Sequence, residues 1–382
     1  MTIHHYSGTI QKTIGLFMDK MPTVSFLTYD WAFGTKPLQP NGCAWYRCFL
    51  PMKELEKNGW DSGIGFPGFN DDHGFGLLIP DNKAIHGWDV IVLKLIMLES
   101  VALKVEEAQA MGQKIAVDID DWFEGLSESN LAHKMTDPKM NPNNNRDHYM
   151  FIIDKADAII TSTPFLYDFY KAKGKENVFL VRNGIDIDRW KQRKDHAGWL
   201  PTVGWVGATP WRSNDLESLS SFFNDFLESN HLQFHHSGHV KNAKYAKNQL
   251  GISSSIKTSE EPMQPINDYP KMFRKLDIGL VPLSNVEFNY AKSGIKGLEY
   301  SAAGVPFIAS YSPEYAILEE QGIGRVARNE REWIGHLEEL LDPKIRKEDV
   351  ARNLEGVRKY QSMNIRGPEW SEVMHQIKDL YK

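Results

Sequence analysis

The sequence predicts an α/β protein of two doubly wound units, and three observations carry that prediction. Its 382 residues exceed what one hydrophobic core usually organises, at about 100 to 200 residues per domain. Short β-rich runs alternate with helical patterns, the sequence form of βαβ units around a parallel sheet. The alternation breaks across a charged, irregular stretch at 191–201 (KQRKDHAGWLP) and then begins again.

The first series places strands at Thr23–Thr28, Val90–Leu93, Lys114–Ile119, Ala158–Thr161 and Val178–Val181, with helices at Ala44–Lys57 and Val101–Met111. The second places strands at Thr202–Val206, Phe234–Ser237, Ile278–Pro282 and Val305–Ser310, with helices at Leu216–Leu227 and Gly294–Ala303. Residues 1–196 and 197–367 are therefore expected to be the two domains. Trp370, Val373, Met374, Ile377 and Leu380 recur at helical spacing, so residues 368–382 should form an amphipathic helix that seeks a groove.

Composition excludes several classes. The chain is 41% hydrophobic and 12% aromatic, which supports a folded core rather than disorder. A formal net charge of −6 gives no global attraction to nucleic acid or anionic membranes, so such contact would need a local basic patch. Cys43 and Cys48 are the only cysteines; they build no disulfide framework and lack zinc spacing, which fits a reducing cytoplasm. Residues 1–20 carry His4, His5, Lys12, Asp19 and Lys20 without a continuous apolar run, so no secretory signal is expected. The longest apolar run, Val90–Leu98, is interrupted by Lys94 and falls short of the roughly 20 residues that span a bilayer.

The most informative stretch is 277–310, DIGLVPLSNVEFNYAKSGIKGLEYSAAGVPFIAS, read as strand, loop, helix, strand. A helix N-terminus beyond a parallel strand is an anion site, and Gly294 would let a diphosphate approach the backbone. If helical geometry reaches back to Lys292, then Lys292, Lys296 and Glu299 share one face. The two ammonium groups would neutralise a diphosphate, and the carboxylate would accept ribose hydroxyls. Ile295, which opens the helix, Leu298 and Ala302 would face the sheet. A surface helix with a Lys/Glu stripe is the plainer alternative.

Here the chain resembles the retaining glycosyltransferases of family four, and more closely a subgroup common in bacteria and bacteriophages. Glu299, Ala302, Ala303, Gly304 and Pro306 match the second half of the family's C-terminal signature. The signature's first glutamate falls on Ala291, a departure that leaves the sugar and part of the mechanism open. The resemblance implies a GT-B fold, two Rossmann-like domains with the C-terminal helix crossing back onto the first. It also implies a nucleoside diphosphate sugar donor, no other cofactor and no metal. Lys292, Ser293, Gly294, Ile295, Lys296 and Glu299 would hold the donor. Arg212 would join them at its phosphates, Gly204, Gly207 and Gly238 would allow close approach of the backbone to the nucleotide, and Met263 would lie near the base. The acceptor would be a modified DNA base, protein or polysaccharide; a non-catalytic sensor of nucleotide sugars is the alternative.

Gly42 and Arg47, in NGCAWYR, occupy the family's cleft-facing loop, or else Gly42 turns the chain while Arg47 packs on Trp45. Asp120 and Asp121 end a buried strand where relatives carry a catalytic pair; one of the two is also expected to cap the next helix. Asp118 and Asp120 spell a metal-binding Asp-x-Asp, a weak signal. Gly63, Gly65 and Gly68 complete a G-x-G-x-x-G that Pro67 interrupts, so a dinucleotide site is not expected there. His235 and His236 are adjacent on a strand and point to opposite faces, which argues against a metal cluster with His239. Lys241, Lys244, Tyr245 and Lys247 read as a solvated basic stripe.

Overall fold

The computed structural model of the chain describes residues 21–78, 84–126, 128, 130, 132–133, 143–193, 201–210 and 214–381. They divide into two compact units: Met1–Asp120, Thr136–Val181 and Arg366–Lys382 form one, Asp121–Met135 and Arg182–Ile365 the other. The sequence places the change later, at 196/197. The chain after Val181 already packs into the second core, where Ile185 and Trp190 lie with Phe273, Leu276 and Tyr300. Among the described residues no helix is long and apolar enough to cross a membrane.

The first unit contains strands β1 (Thr23–Thr28), β2 (Trp31–Ala32), β3 (Gln39–Pro40), β4 (Asp61–Asn70), β5 (Gly74–Leu78), β6 (Ala84–Ile85), β7 (Val90–Lys94), β8 (Lys114–Ile119), β9 (Ala158–Thr161) and β10 (Val178–Leu180). Its main sheet runs β10-β9-β8-β7-β1-β4-β5-β6, while β2 and β3 pair apart from it. All neighbours from β10 to β4 are parallel, and β5 and β6 add an antiparallel edge. Every residue of β1 and β7 is buried, so these central strands are covered on both faces and show no alternation of buried and exposed positions. The glycines of the false dinucleotide motif lie along β4: a Cβ on Gly63 would meet Leu77 at 2.4 Å, and one on Gly68 would meet Leu78 at 2.6 Å. They make room for the side chains of β5.

The C-terminal helix spans Met363–Lys378 and begins earlier than expected, with Pro368 inside it. Trp370, Val373, Met374 and Ile377 join Val24, Phe26, Val92 and Ala116 in the first unit's core. That packing makes a prediction for the chain end. Ile377→Val should lower stability by about 0.5 to 1.5 kcal/mol in denaturant titration, and an unchanged midpoint would show that the helix contributes nothing.

The second unit holds β11 (Thr202–Val206), β12 (Gln233–His239), β13 (Thr258–Pro262), β14 (Ile278–Val281), β15 (Phe307–Ser310) and β16 (Arg325–Ala327). Their order is β13-β12-β11-β14-β15-β16 and all are parallel. Renumbered from β11, that is 3-2-1-4-5-6, the dinucleotide-fold order, with its reversal between β11 and β14. The first unit reverses in the same way between β1 and β7. In open parallel sheets ligands bind outside the carboxyl ends of the strands at such a point, so the topology nominates one place in each unit.

Candidate functional site

In the second unit, the buried Tyr300 ties the strands together at the reversal. Its hydroxyl accepts from the Val206 amide at 3.0 Å and donates to the Leu280 carbonyl at 3.2 Å. Gly207 follows β11 directly, and Gly238 lies near the end of β12. A Cβ on Gly238, whose φ is +122°, would meet the Gly207 carbonyl oxygen at 2.4 Å. Two backbones touch here, which accounts for both glycines by packing. Gly204 lies mid-strand, where a Cβ would meet the His235 carbonyl oxygen at 2.2 Å, so it makes room for sheet packing rather than for a ligand.

The expected helix runs Ile295–Ala302, with Gly294 as its N-cap and no side-chain cap. It does not reach back to Lys292, which lies in the link from the preceding helix Glu287–Tyr290. The three-residue face is therefore corrected to a pair. Lys296 and Glu299, one turn apart, meet at 2.6 Å. Tyr269 completes the cluster: its hydroxyl donates to Glu299 Oε2 at 3.0 Å and lies 2.6 Å from Lys296 Nζ. Glu299 is 3% exposed, so this carboxylate is held in low dielectric by a cation and a phenol. Ile295 packs on the core beneath, Gly294 abuts Leu318, and Ser293 accepts from Asn183 Nδ2 at 2.8 Å.

Lys292 faces elsewhere, 3.6 Å from Asp215. Asp215 Oδ1 accepts from the Ser284 amide at 3.0 Å and Asn289 Nδ2 at 2.8 Å, joining the loops after β11 and β14 at the reversal. Beside them Trp122, Asn130, Phe288 and Lys292 help line a cavity of about 200 Å³. That is smaller than the roughly 300 to 1,000 Å³ of a complete small-molecule site, so it has room for no more than one moiety of a larger molecule. Met263, just beyond β13, is exposed and donates its amide to the His239 carbonyl at 3.2 Å. Arg212 lies outside the described residues. Asp215, Tyr269 and Asn183 carried no local sequence signal; only the fold brings them here.

In the first unit, charged groups gather at the carboxyl ends of β1, β7 and β8. Arg47, on a π-helical turn (Trp45–Phe49), is fully buried, which corrects its expected exposure to ligand. Its guanidinium bonds both oxygens of buried Asp118 at 2.6 to 3.1 Å, gives a 2.6 Å bond to the Val181 carbonyl and lies over the ring of Trp370. Lys94, also buried, is 3.3 Å from Asp118 and hydrogen-bonded to Asp120. The Asp-x-Asp carboxylates thus already hold two cations. Gly42 opens the helix with open space where a side chain would stand. The N-cap position of the turn Phe123–Gly125 falls on Trp122 rather than on Asp120 or Asp121.

Two carboxyls here are pushed apart in acidity. Burial raises Asp30, which accepts from the Ala44 amide at 2.8 Å. Burial also acts to raise Asp120, but the charge and hydrogen bond of Lys94, aided by Arg47 and Cys43, outweigh it and hold that carboxyl low. Such separation is how one site can carry an acid and a base.

Comparison with solved structures then assigns the architecture. Sucrose-phosphate synthase from Thermosynechococcus elongatus is similar with a TM-score of 0.63 and 11% identity, over 93% of this chain and 99% of that one. Anabaena HepE in complex with UDP gives 0.59 and 12%, over 93% and 100%. The fold is that of the GT-B glycosyltransferases. Staphylococcus aureus TarM, solved with UDP among its ligands, gives 0.54 and 13%, over 75% of this chain and 55% of that one. No protein-family model matches the sequence, and no curated protein does.

Proposed function

We propose that this GT-B chain transfers a glycosyl group from a nucleoside diphosphate sugar to an acceptor hydroxyl. The observation that carries the proposal is the buried Tyr269–Lys296–Glu299 cluster beside the uncapped first turn of Ile295–Ala302, beyond the strand ends of its unit. HepE, whose fold is similar, has been solved with UDP and with UDP-glucose. In this reading Glu299 accepts the ribose hydroxyls, and the helix N-terminus with Lys296, Lys292 and Arg212 balances the departing diphosphate, where negative charge develops in the transition state. The sugar enters the Trp122–Phe288–Lys292 cavity. Asp120, with Asp30 beside it, acts on the acceptor side.

Retention and a phage-type acceptor such as a modified DNA base, protein or polysaccharide belong to the same reading and follow from the family resemblance, and a cytoplasmic location follows from the sparse cysteines. Ala291, wholly buried where the family carries a sugar-contacting glutamate, favours a second reading as a sensor that binds donor without turnover.

One experiment separates the two. Slow release of nucleoside diphosphate from a panel of sugar donors, without acceptor and without added magnesium or manganese, is expected of the enzyme. Binding with no release from any donor would support the sensor. Release that requires added manganese would contradict charge balance by lysines and return Asp118 and Asp120 to metal binding.

A further inference from the structure

We propose that His236, His239 and Glu260 form a binding site for a divalent transition-metal ion, best suited to zinc. It is independent of the donor reading.

The geometry comes from an irregularity in the sheet. On a regular strand, residues three apart point to opposite faces. Between Ser237 and His239 the register of β12 against β13 shifts, and Gly238 at φ +122° turns the chain. His239 thereby joins His236 on one side, while His235 faces away, bonded to Ser259 and Ser237 at 2.8 Å. Opposite faces for His235 and His236 follow as the sequence indicated; the bulge supplies the second imidazole. Glu260 pairs in register with His236 on the neighbouring strand.

Glu260 Oε2 lies 3.9 Å from His236 Nδ1 and 3.7 Å from His239 Nδ1, and one ligand atom from each residue falls within 4.8 Å of the others. Two ligands on one zinc, each about 2.0 to 2.1 Å from it, are at most ~4.2 Å apart, so small side-chain rotations close the site.

The chemistry of the donor set fits. Both Glu260 oxygens and the Nδ1 atoms of His236 and His239 are buried without a hydrogen bond of acceptable geometry. Buried polar atoms are nearly always satisfied, and one from each residue, Glu260 Oε2 and the two Nδ1 atoms, lies close enough to the others to share one partner. Sharing a proton does not supply it, because the separations exceed hydrogen-bond length.

His236 Nε2 lies 2.9 Å from the Gly207 carbonyl, which can only accept. The proton therefore sits on Nε2 and the lone pair on Nδ1, the arrangement in which a backbone carbonyl orients a metal-bound histidine. Stacking fixes both rings: His236 on Trp205 at 5.0 Å and His239 on Tyr245 at 4.5 Å. Two imidazoles and a carboxylate, with a fourth position open, suit zinc better than calcium or magnesium.

The test uses the full chain after chelator treatment, without nucleotide. Zinc titrated by calorimetry should bind at one equivalent, and cobalt should give the intense visible absorption of a low-coordinate site. His239→Ala and Glu260→Gln should each weaken zinc binding more than about tenfold. Absence of stoichiometric zinc binding by the wild type, a cobalt spectrum identical to the aqueous ion, or variants that bind as the wild type does would overturn the proposal. The wild-type spectrum remains decisive if a variant fails to fold, and donor binding is not needed for any arm.

Discussion

Asp118→Ala should destabilise the first unit by about 3 to 5 kcal/mol, the usual effect of leaving a buried charge without its partner. Arg47 and Asp118 are both essentially inaccessible, and the guanidinium engages both carboxylate oxygens. Losing the carboxylate would strip Arg47 of its bidentate counter-ion while the guanidinium stays buried against the Val181 carbonyl and the Trp370 face, and would remove one of the anions around Lys94. Pairs of this kind are often replaceable as a whole by apolar side chains. The double variant Arg47→Met/Asp118→Leu should therefore recover most of the loss. Denaturant unfolding of the three proteins checks this; a single-variant loss below about 1 kcal/mol would mean that the pair behaves as an exposed one.

The neighbouring groups give the cluster a pH window. Lys94 is held above its ordinary pKa, since Asp120 and Asp118 outweigh the downward pull of burial. Its contribution is complete below the ordinary lysine pKa and is lost as pH rises through the raised value. Asp120 is held below the ordinary carboxyl value, so its contribution is complete above that value and is lost as pH falls through the lowered one. Both contributions are present together across the neutral range.

Most of the parallel strands were legible in the sequence because they are short apolar runs set off by turns, whereas β4 (DSGIGFPGFN), β13 (TSEEP) and β16 (RVA) went unread for want of such a run. Thr23–Thr28, Lys114–Ile119, Ala158–Thr161 and Thr202–Val206 fall where the composition places them. Helices were less so. The run Val101–Met111 is two short helices, Glu99–Ala102 and Val105–Ala110, and Leu216–Leu227 is a 3₁₀ turn, Glu217–Leu219, followed by the helix Phe223–Ser229. Apolar spacing marks a helical face but not a break in it. The edge strands β5 and β6 went unread, since GFGLL lacks a strand's alternation and its partner β4 is rich in glycine.

At the candidate site, periodicity identified Lys296 and Glu299 as neighbours. It could not identify Tyr269, which arrives from 30 residues away. The pairing of Arg47 was invisible for the same reason: Asp118 is 71 positions distant, and a local reading offered only a cleft-facing loop or packing on nearby Trp45. His236, His239 and Glu260 meet through a bulge, a feature that alternation assumes away.

The central claim is that Glu299 receives the ribose of a nucleoside diphosphate, and Glu299→Gln tests it most directly. The substitution keeps the shape while removing the charge that Tyr269 and Lys296 stabilise. Charge-assisted hydrogen bonds contribute roughly 1.5 to 3 kcal/mol each, so partial loss should weaken donor binding about tenfold or more. A salt bridge with a purely structural role would change folding stability and leave nucleotide affinity alone. Calorimetric titration of a nucleoside diphosphate and its 2′-deoxy analogue into both proteins distinguishes these. Wild type should prefer the ribose form, and Glu299→Gln should lose most of that preference while remaining folded. Equal binding of both ligands by both proteins would contradict the account and remove the donor from this helix.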